Sequence, residues 1–400
     1  MKINTMRNID YYFGILICFF LTIIDKILKI FKSPKSGEIK NVLFIQLTEM
    51  GSTVLAYSSI RKMKELYPNA KLFFLAFKKN RYCIETLNII SKENILTIRD
   101  DSFLIFAYDT LKVLLKLRRE RIGVSFDFEL FSRFSMIISY LSGATNTVGF
   151  YNYYQEGLYR GNLLTHKVYY NIYQHMTLNF LSLVYSITSK MEVPLLKMEI
   201  PEEDVILPEI KITEEARKNI WDKLKKLNPE INPNNRLIIV NPYAGDIIPI
   251  RSWPIDYYIM LIRELLKNKN VFIIITGGGD TKNWKDKIID EIKDERIISL
   301  VGSTGFNELI DLYNISDILI TNDSGPVHFA SLTPIKVFAF FGPGHIIYGP
   351  LGKNTTIFYK KFSCSPCGTA FNHRNSPCKD NKCLKAIKVG GVYKEISRYL

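Results

Sequence analysis

Short apolar runs, each ending in small or polar residues and followed by a helical pattern, limit what this chain can fold into more than any other feature. Asn41 to Leu47 reads as a buried strand and Ser52 to Leu66 as a helix. Lys71 to Phe77 and Ile95 to Arg99 read as strands, Leu104 to Arg121 as a helix, Gly123 to Phe128 as a strand and Phe131 to Leu141 as a helix. Alternation of this kind implies a parallel sheet covered on both faces. A Pro- and Glu-rich connector, Pro194 to Pro208, interrupts it before a second alternation begins at Leu237 to Val240. That one continues through Val271 to Thr276, Ile318 to Thr321 and Val337 to Phe341. With 400 residues, 47% of them hydrophobic, there is material for two full cores. The expected class is therefore α/β, two doubly wound, Rossmann-like domains over 37–195 and 196–400 facing a cleft. Ligands of such sheets bind outside the carboxyl ends of the strands, and the distinctive loops fall there.

The most distinctive loop is Thr321-Asn322-Asp323-Ser324-Gly325-Pro326-Val327-His328. A strand that ends in small residues at a helix start presents free backbone N–H groups. With the helix dipole these suit an anion, most often a phosphate. His328 lies about one turn into that helix, where it can donate to the same anion, and Asp323 sits at the mouth to hold hydroxyls. An ordinary capping turn with His328 packed fits the same residues. In Gln46 to Val54, Gly51 lets backbone approach a ligand, and Ser52 or Thr53 can cap the helix. Glu49 is the carboxylate of that loop, either a general base or a surface residue. Asn241 to Gly245 followed by Arg251 suits a diphosphate, with Trp253 as a packing anchor. Thr276-Gly277-Gly278 lacks dinucleotide-loop spacing and reads equally as a binding loop or a plain turn. Phe341-Gly342-Pro343-Gly344-His345 follows a strand and sets His345 either toward the cleft or idle in a loop. The aromatic stretch Phe150 to Tyr173 holds Arg160 and His166. Most of its rings read as packing, and a subset as the lining of an acceptor site.

The net charge is +14. The basic residues are dispersed, and no nucleic-acid-binding signature accompanies them. Anionic lipid headgroups and phosphorylated substrates fit that charge equally well, and nucleic acid is not expected as a partner. Residues 1–36 stand apart as a membrane-associating helix and linker. Tyr11 to Ile24 is an apolar run of fourteen, short for a span, and no small-residue cleavage site follows it. Lys26, Lys29 and Lys32 recur opposite Ile27, Leu28 and Phe31, as in a helix lying in the interface. Packing on the protein's own surface is the other reading. Six Cys are too few and too uneven for a disulfide framework. Within the Cys-rich segment 364–383, Cys364, Cys367, Cys378 and Cys383, with His373 between the pairs, read either as a structural zinc knot or as plain thiols.

Taken together and in order, these loops resemble the bacterial heptosyltransferase family, glycosyltransferase family 9, from about Asn41 to the C-terminus. Asn322 to His328 is similar to the family's nDSGPmHlA stretch. Gly51, Gly143-Ala144 through Phe150, His175, Arg251 to Pro254, Thr276-Gly277-Gly278, Phe341-Gly342-Pro343 and the terminal Cys-Ser-Pro-Cys support it. The resemblance implies a GT-B fold, with a glycan or glycolipid acceptor on the N-terminal domain and a nucleotide sugar, an ADP-sugar by family, on the C-terminal one. It implies inversion at the anomeric carbon with no catalytic metal or cofactor. Arg251, Ser324, Gly325 and His328 would hold the diphosphate, and Asp323 the donor sugar. Two departures stand out. The family's first loop has Gly-Asp, with the Asp as base, where this chain has Gly51-Ser52, so Glu49 is expected to take over. Gly344-His345 replaces Thr-Asp, pointing to a donor other than heptose. The leading expectation is a transferase at the cytoplasmic face of the bacterial inner membrane, building lipopolysaccharide core or another lipid-linked glycan. The alternative is a non-catalytic, membrane-associated nucleotide- or glycan-binding protein descended from one.

Overall fold

The computed structural model describes residues 3–31, 38–151, 159–191, 194–245, 248–372 and 376–400. The linker expected over 32–37, residues 152–158 of the aromatic stretch, and His373 lie outside the described residues. The chain divides into two compact units, Met1–Ile206 and Leu207–Leu400. The expected boundary at 195/196 and this division both fall in the Pro- and Glu-rich connector.

The first unit contains α1 (Ile3–Phe31), β1 (Asn41–Ile45), α2 (Met50–Leu55), α3 (Tyr57–Leu66), β2 (Lys71–Phe77), α4 (Arg81–Thr86) and β3 (Ile95–Ile98). It continues with α5 (Phe103–Glu120), β4 (Val124–Asp127), α6 (Arg133–Leu141), β5 (Asn146–Tyr151), β6 (His166–Tyr169) and α7 (Met176–Thr188). Its six strands are all parallel in the order β3-β2-β1-β4-β5-β6. The central strands are buried on both sides, which is why they read as unbroken apolar runs. Leu43, Ile45, Phe73, Leu75 and Ile98 point to one face, where Val113 and Leu117 of α5 and Ile138 of α6 cover them. The helix expected over Ser52 to Leu66 is interrupted at Ala56. A ψ of −10° there shifts the rung, although the Ala56 N–H still reaches the Ser52 carbonyl at 2.9 Å.

Helix α1 packs on α6 along one narrow face. Asp10 accepts hydrogen bonds from the backbone N–H groups of Arg133 (3.0 Å) and Phe134 (2.7 Å). It thereby caps the first turn of α6 from a different helix. Gly14 lies against Arg133, where a Cβ would come within 2.7 Å of the Arg133 Cβ. The Arg133 side chain is buried and stacks over the Tyr11 ring. Thr22 Oγ1 accepts from the Asn162 N–H at 2.9 Å. The opposite face is apolar and exposed: Tyr12, Phe13, Leu16, Phe19, Phe20 and Ile24 are all uncovered. No helix among the described residues is long and apolar enough to cross a membrane.

The second unit runs α8 (Glu214–Leu227), β7 (Arg236–Asn241), α9 (Ile255–Leu265), β8 (Val271–Ile275), α10 (Lys282–Ile292), β9 (Ile297–Ser299) and α11 (Phe306–Ile315). There follow β10 (Ile318–Asn322), α12 (Gly325–Ala330), β11 (Lys336–Phe341), β12 (Thr355–Tyr359), α13 (Lys382–Lys385) and α14 (Val389–Ile396). Its parallel sheet has the order β12-β11-β10-β7-β8-β9. Trp253 is fully buried, stacked on Phe340 at 4.2 Å, and donates Nε1–H to the Ile387 carbonyl at 3.0 Å. It is the packing anchor its sequence context suggested.

Candidate active site

In the second unit, Asn322 at the end of β10 ties that strand to the segment after β7 and to the start of α9. Its Oδ1 accepts from the Trp253 N–H (2.8 Å) and the Tyr258 hydroxyl (3.1 Å), and its Nδ2 donates to the Pro242 carbonyl (3.0 Å). Asn241 does the same one strand over, donating to the Thr276 carbonyl at 3.0 Å. These fully buried amides hold the loops in fixed relation, since leaving any of them unpaired would cost about 1–3 kcal/mol. Sequence reasoning assigned Asn322 no such role, because an Asn at a strand end looks like any turn residue.

On this brace sits the pair Arg251–Asp323. Arg251 Nη1 donates to the Asp323 carbonyl at 2.9 Å and lies 3.4 Å from Asp323 Oδ2. Asp323 is 5% exposed and tucked under Gly344, where a Cβ would overlap its Oδ2. Gly344 is therefore a close-approach glycine, matched to that carboxylate. The expected helix start is much shorter than its sequence pattern suggested: α12 has only six residues, and Pro326 in its first turn lacks an N–H. A stub of this length carries a weak dipole, so the fixed positive charge of the site comes from Arg251. Ser324 and Gly325 are half-buried at its start, and the Ser324 Oγ donates to the Asn322 carbonyl at 3.3 Å. His328 is 6% exposed, on the packed side of α12. Thr276 is buried, and Gly277 adopts φ 153°, where a Cβ would overlap the Thr281 Oγ1. His345 Nδ1 accepts from the Ile347 N–H at 3.2 Å, and burial lowers the affinity of its ring for a proton. It thus caps the short turn that follows it.

In the first unit the loop after β1 carries Glu49, half-buried, whose Oε2 accepts from the Ser52 hydroxyl at 2.6 Å. Gly51 and Ser52 lie in the first turn of α2. A second carboxylate, Glu129, follows β4 and anchors this loop. Its Oε1 accepts from the N–H groups of Leu47 (2.6 Å) and Thr48 (2.9 Å) and from the Thr48 hydroxyl (3.1 Å). Burial, then the nearby Glu49 charge, push the Glu129 carboxyl from 4.5 up to about 7. Next to it Asp127 is fully buried and paired with Arg160 at 2.7 Å, and Arg160 also donates to the Phe150 carbonyl at 2.7 Å. Arg160 of the aromatic stretch is therefore a brace. Phe150 and Tyr170 from that stretch are buried against each other, whereas Tyr173 is exposed. His175 caps α7, its Nδ1 accepting from the Thr177 N–H at 3.3 Å.

The sequence reads the four thiols of the terminal segment either as a structural zinc knot or as plain thiols, and in the structure Cys367 and Cys378 lie near enough to Cys383 to push its thiol up, after burial. Cys364 is exposed and Cys383 is buried beside Gly342. Cys367 accepts from the Ser376 hydroxyl, and Cys378 donates to the Asp380 carbonyl. Among the described residues no group of three or more His, Cys, Asp or Glu is arranged to hold a metal ion.

Two six-stranded parallel sheets, each with its distinctive loops at the carboxyl ends of the strands, define a GT-B fold. Residues 137–375, more than half of the chain, match the model of glycosyltransferase family 9 (heptosyltransferase), and the chain belongs to that family. The match takes in the loops of the second unit and leaves residues 46–54 outside. Lipooligosaccharide heptosyltransferase 2 of Campylobacter jejuni is 26% identical over 181 residues, 44% of this chain and 55% of the relative. The chain thus spans about half the length of the curated relative it matches. Among solved structures, Escherichia coli ADP-heptose LPS heptosyltransferase II superposes with a TM-score of 0.69 at 16% identity, over 90% of this chain and 98% of that one. A glycosyl transferase family 9 protein from Veillonella parvula gives 0.72 at 14% identity, over 92% and 99%. At such identities the likeness is one of fold.

Proposed function

We propose that this chain is an inverting glycosyltransferase that moves a sugar, heptose or a relative of it, from an ADP-sugar to a lipopolysaccharide core or another lipid-linked glycan. The observation that carries the reading is the Glu49 carboxylate, held by Ser52 in the loop where the family keeps its acidic residue. In the proposed reaction Glu49 takes the proton of the acceptor hydroxyl as its oxygen attacks the anomeric carbon. The bond from that carbon to the diphosphate breaks on the opposite face, and the leaving nucleoside diphosphate keeps the electron pair. The Arg251 guanidinium offsets the charge that develops on it, a role that needs no metal. Asp323 orients the donor sugar, with Ser324, Gly325 and His328 around the diphosphate and Thr276 and Gly277 on the neighbouring loop. The names of the relatives, heptosyltransferases of lipooligosaccharide and of LPS, support the substrate classes. The exposed apolar face of α1 supports the cytoplasmic leaflet of the inner membrane as the place where a lipid-linked acceptor is met.

Replacement by Gln keeps the shape of Glu49 and removes the base. Glu49→Gln is expected to lower transfer by roughly a hundredfold or more while donor binding holds. Turnover close to that of the unaltered protein would remove Glu49 from the role. A second reading, binding without catalysis, is favoured by Ser52 at the position where the family has Asp. It predicts nucleotide-sugar binding with no transfer to any acceptor, in the unaltered protein as in the variant.

A further inference from the structure

Helix α5 is apolar on two sides. Val113 and Leu117 face the core, but Leu104, Tyr108, Leu111 and Leu115 form a second stripe at helical spacing that is more than half exposed at each position, from 80% at Leu104 to 52% at Leu115. Phe103 extends it at 60%. Ordinary surface helices do not carry such a stripe. Lys112, Lys116 and Arg119 run alongside it at the same spacing. Between α5 and the edge strand β3 lies an open hollow of about 470 Å³, lined by six Lys and Arg side chains against two carboxylates. Three of those cations are engaged: Arg81 with Glu85 at 2.6 Å, Arg99 with Asp109 at 2.8 Å, and Lys116 with the Glu93 carbonyl at 3.1 Å. No described carboxylate pairs with Lys78, Lys92 or Lys112.

Helices α5 and α6 cover the same face of the first sheet. Helix α1 packs on the outside of α6, and its Met6 reaches the same cluster as Phe106 of α5. The exposed apolar sides of α1 and α5 thus belong to one face of the unit. We propose that this face docks on an anionic phospholipid bilayer. The α1 and α5 stripes would enter the acyl boundary, and the hollow would take headgroup phosphates on Lys78, Lys92 and Lys112. Hydrocarbon and phosphate side by side are the chemistry of a lipid leaflet. A second copy of this chain fits less well, because a two-fold contact would set the unpaired lysines against themselves. The inference rests on the docking of α1 proposed above and adds to it a second helix and a headgroup site.

The test is co-sedimentation of the full chain with vesicles of phosphatidylcholine alone or mixed with phosphatidylglycerol. Three variants are compared, all at exposed positions, and their melting temperatures are checked. Leu104→Glu with Leu111→Glu should cut partitioning roughly tenfold on both vesicles. Lys78→Gln, Lys92→Gln and Lys112→Gln together should remove most of the gain given by phosphatidylglycerol, again roughly tenfold, and leave the rest. Phe13→Glu with Phe20→Glu reports on α1 separately. If the α5 variant binds as the unaltered protein does while the α1 variant fails, the α5 site is overturned and α1 docking stands. Loss in the α5 variant alone supports the α5 site and removes the α1 reading. No binding by the unaltered protein overturns both. An α5 variant that halves the sedimenting mass in lipid-free buffer would make the occupant a second copy and overturn the bilayer.

Discussion

Glu129 shows how much one side chain can decide. The folded protein holds its carboxyl at about 7, while an unfolded chain leaves it near 4.5. Between those values the folded state binds a proton that the unfolded state has released, so stability falls as pH rises from about 4.5 to about 7. The whole effect is on the order of 3 kcal/mol. Glu129→Gln keeps an acceptor for Leu47 and Thr48, and its melting temperature should be flat across that window where the parent's declines; parallel curves would rule out Glu129 as the source. Because Glu49 lies close by, turnover should also inflect near pH 7, and lose that inflection in the same variant. Gly344→Ala is a second test at this scale. The added methyl meets Asp323 Oδ2, so donor binding should weaken by about tenfold or more, a loss read as a raised KM for the nucleotide sugar. The sequence pointed to Glu49 and Asp323 because both sit in loops with unusual composition. It was silent on Glu129, which lies 82 and 81 residues from Leu47 and Thr48 and between Phe128 and Leu130, so that only the pairing of β1 with β4 brings them together.

Among the elements, the strands that are apolar runs were legible, the edge strand β3 included, whereas β5 inside the first sheet and the edge strands β6, β9 and β12 were not. β1, β2, β7, β8, β10 and β11 are apolar on both faces and read directly as runs. β6, β9 and β12 are half-exposed, with polar residues such as His166, Lys167, Ser299 and Thr355, and escape a search for apolar runs. Helix α1 was legible as apolar, but its joint with α6 was not, since that depends on Asp10 meeting a turn more than a hundred residues away. Asp10→Ala leaves the first N–H groups of α6 without their acceptor. It should cost about 1–2 kcal/mol, seen as a lower melting temperature. A variant as stable as the parent would show that water replaces the cap without loss.

At the scale of the whole molecule, each unit has its own sheet and its own buried core. The loops proposed to hold the donor lie entirely in the second. A nucleotide sugar that binds only the folded state should stabilise it by about 2.7 kcal/mol at a hundredfold excess over Kd. A thermal-shift series over ADP-, GDP-, UDP- and dTDP-sugars should therefore single out one base, with the shift abolished in Arg251→Ala. A shift that survives this change would place the diphosphate elsewhere. The joint between α1 and α6 has a practical consequence for anyone wishing to remove the exposed apolar face of α1. Cutting away the leading helix would strip Asp10 from α6 and open the buried Arg133 to solvent, trading one sticky surface for another. Recoding only the outward positions, Phe13, Leu16, Phe20 and Ile24, keeps the inner seam of Asp10, Gly14, Cys18 and Thr22 intact, and is the route by which that face should be made polar.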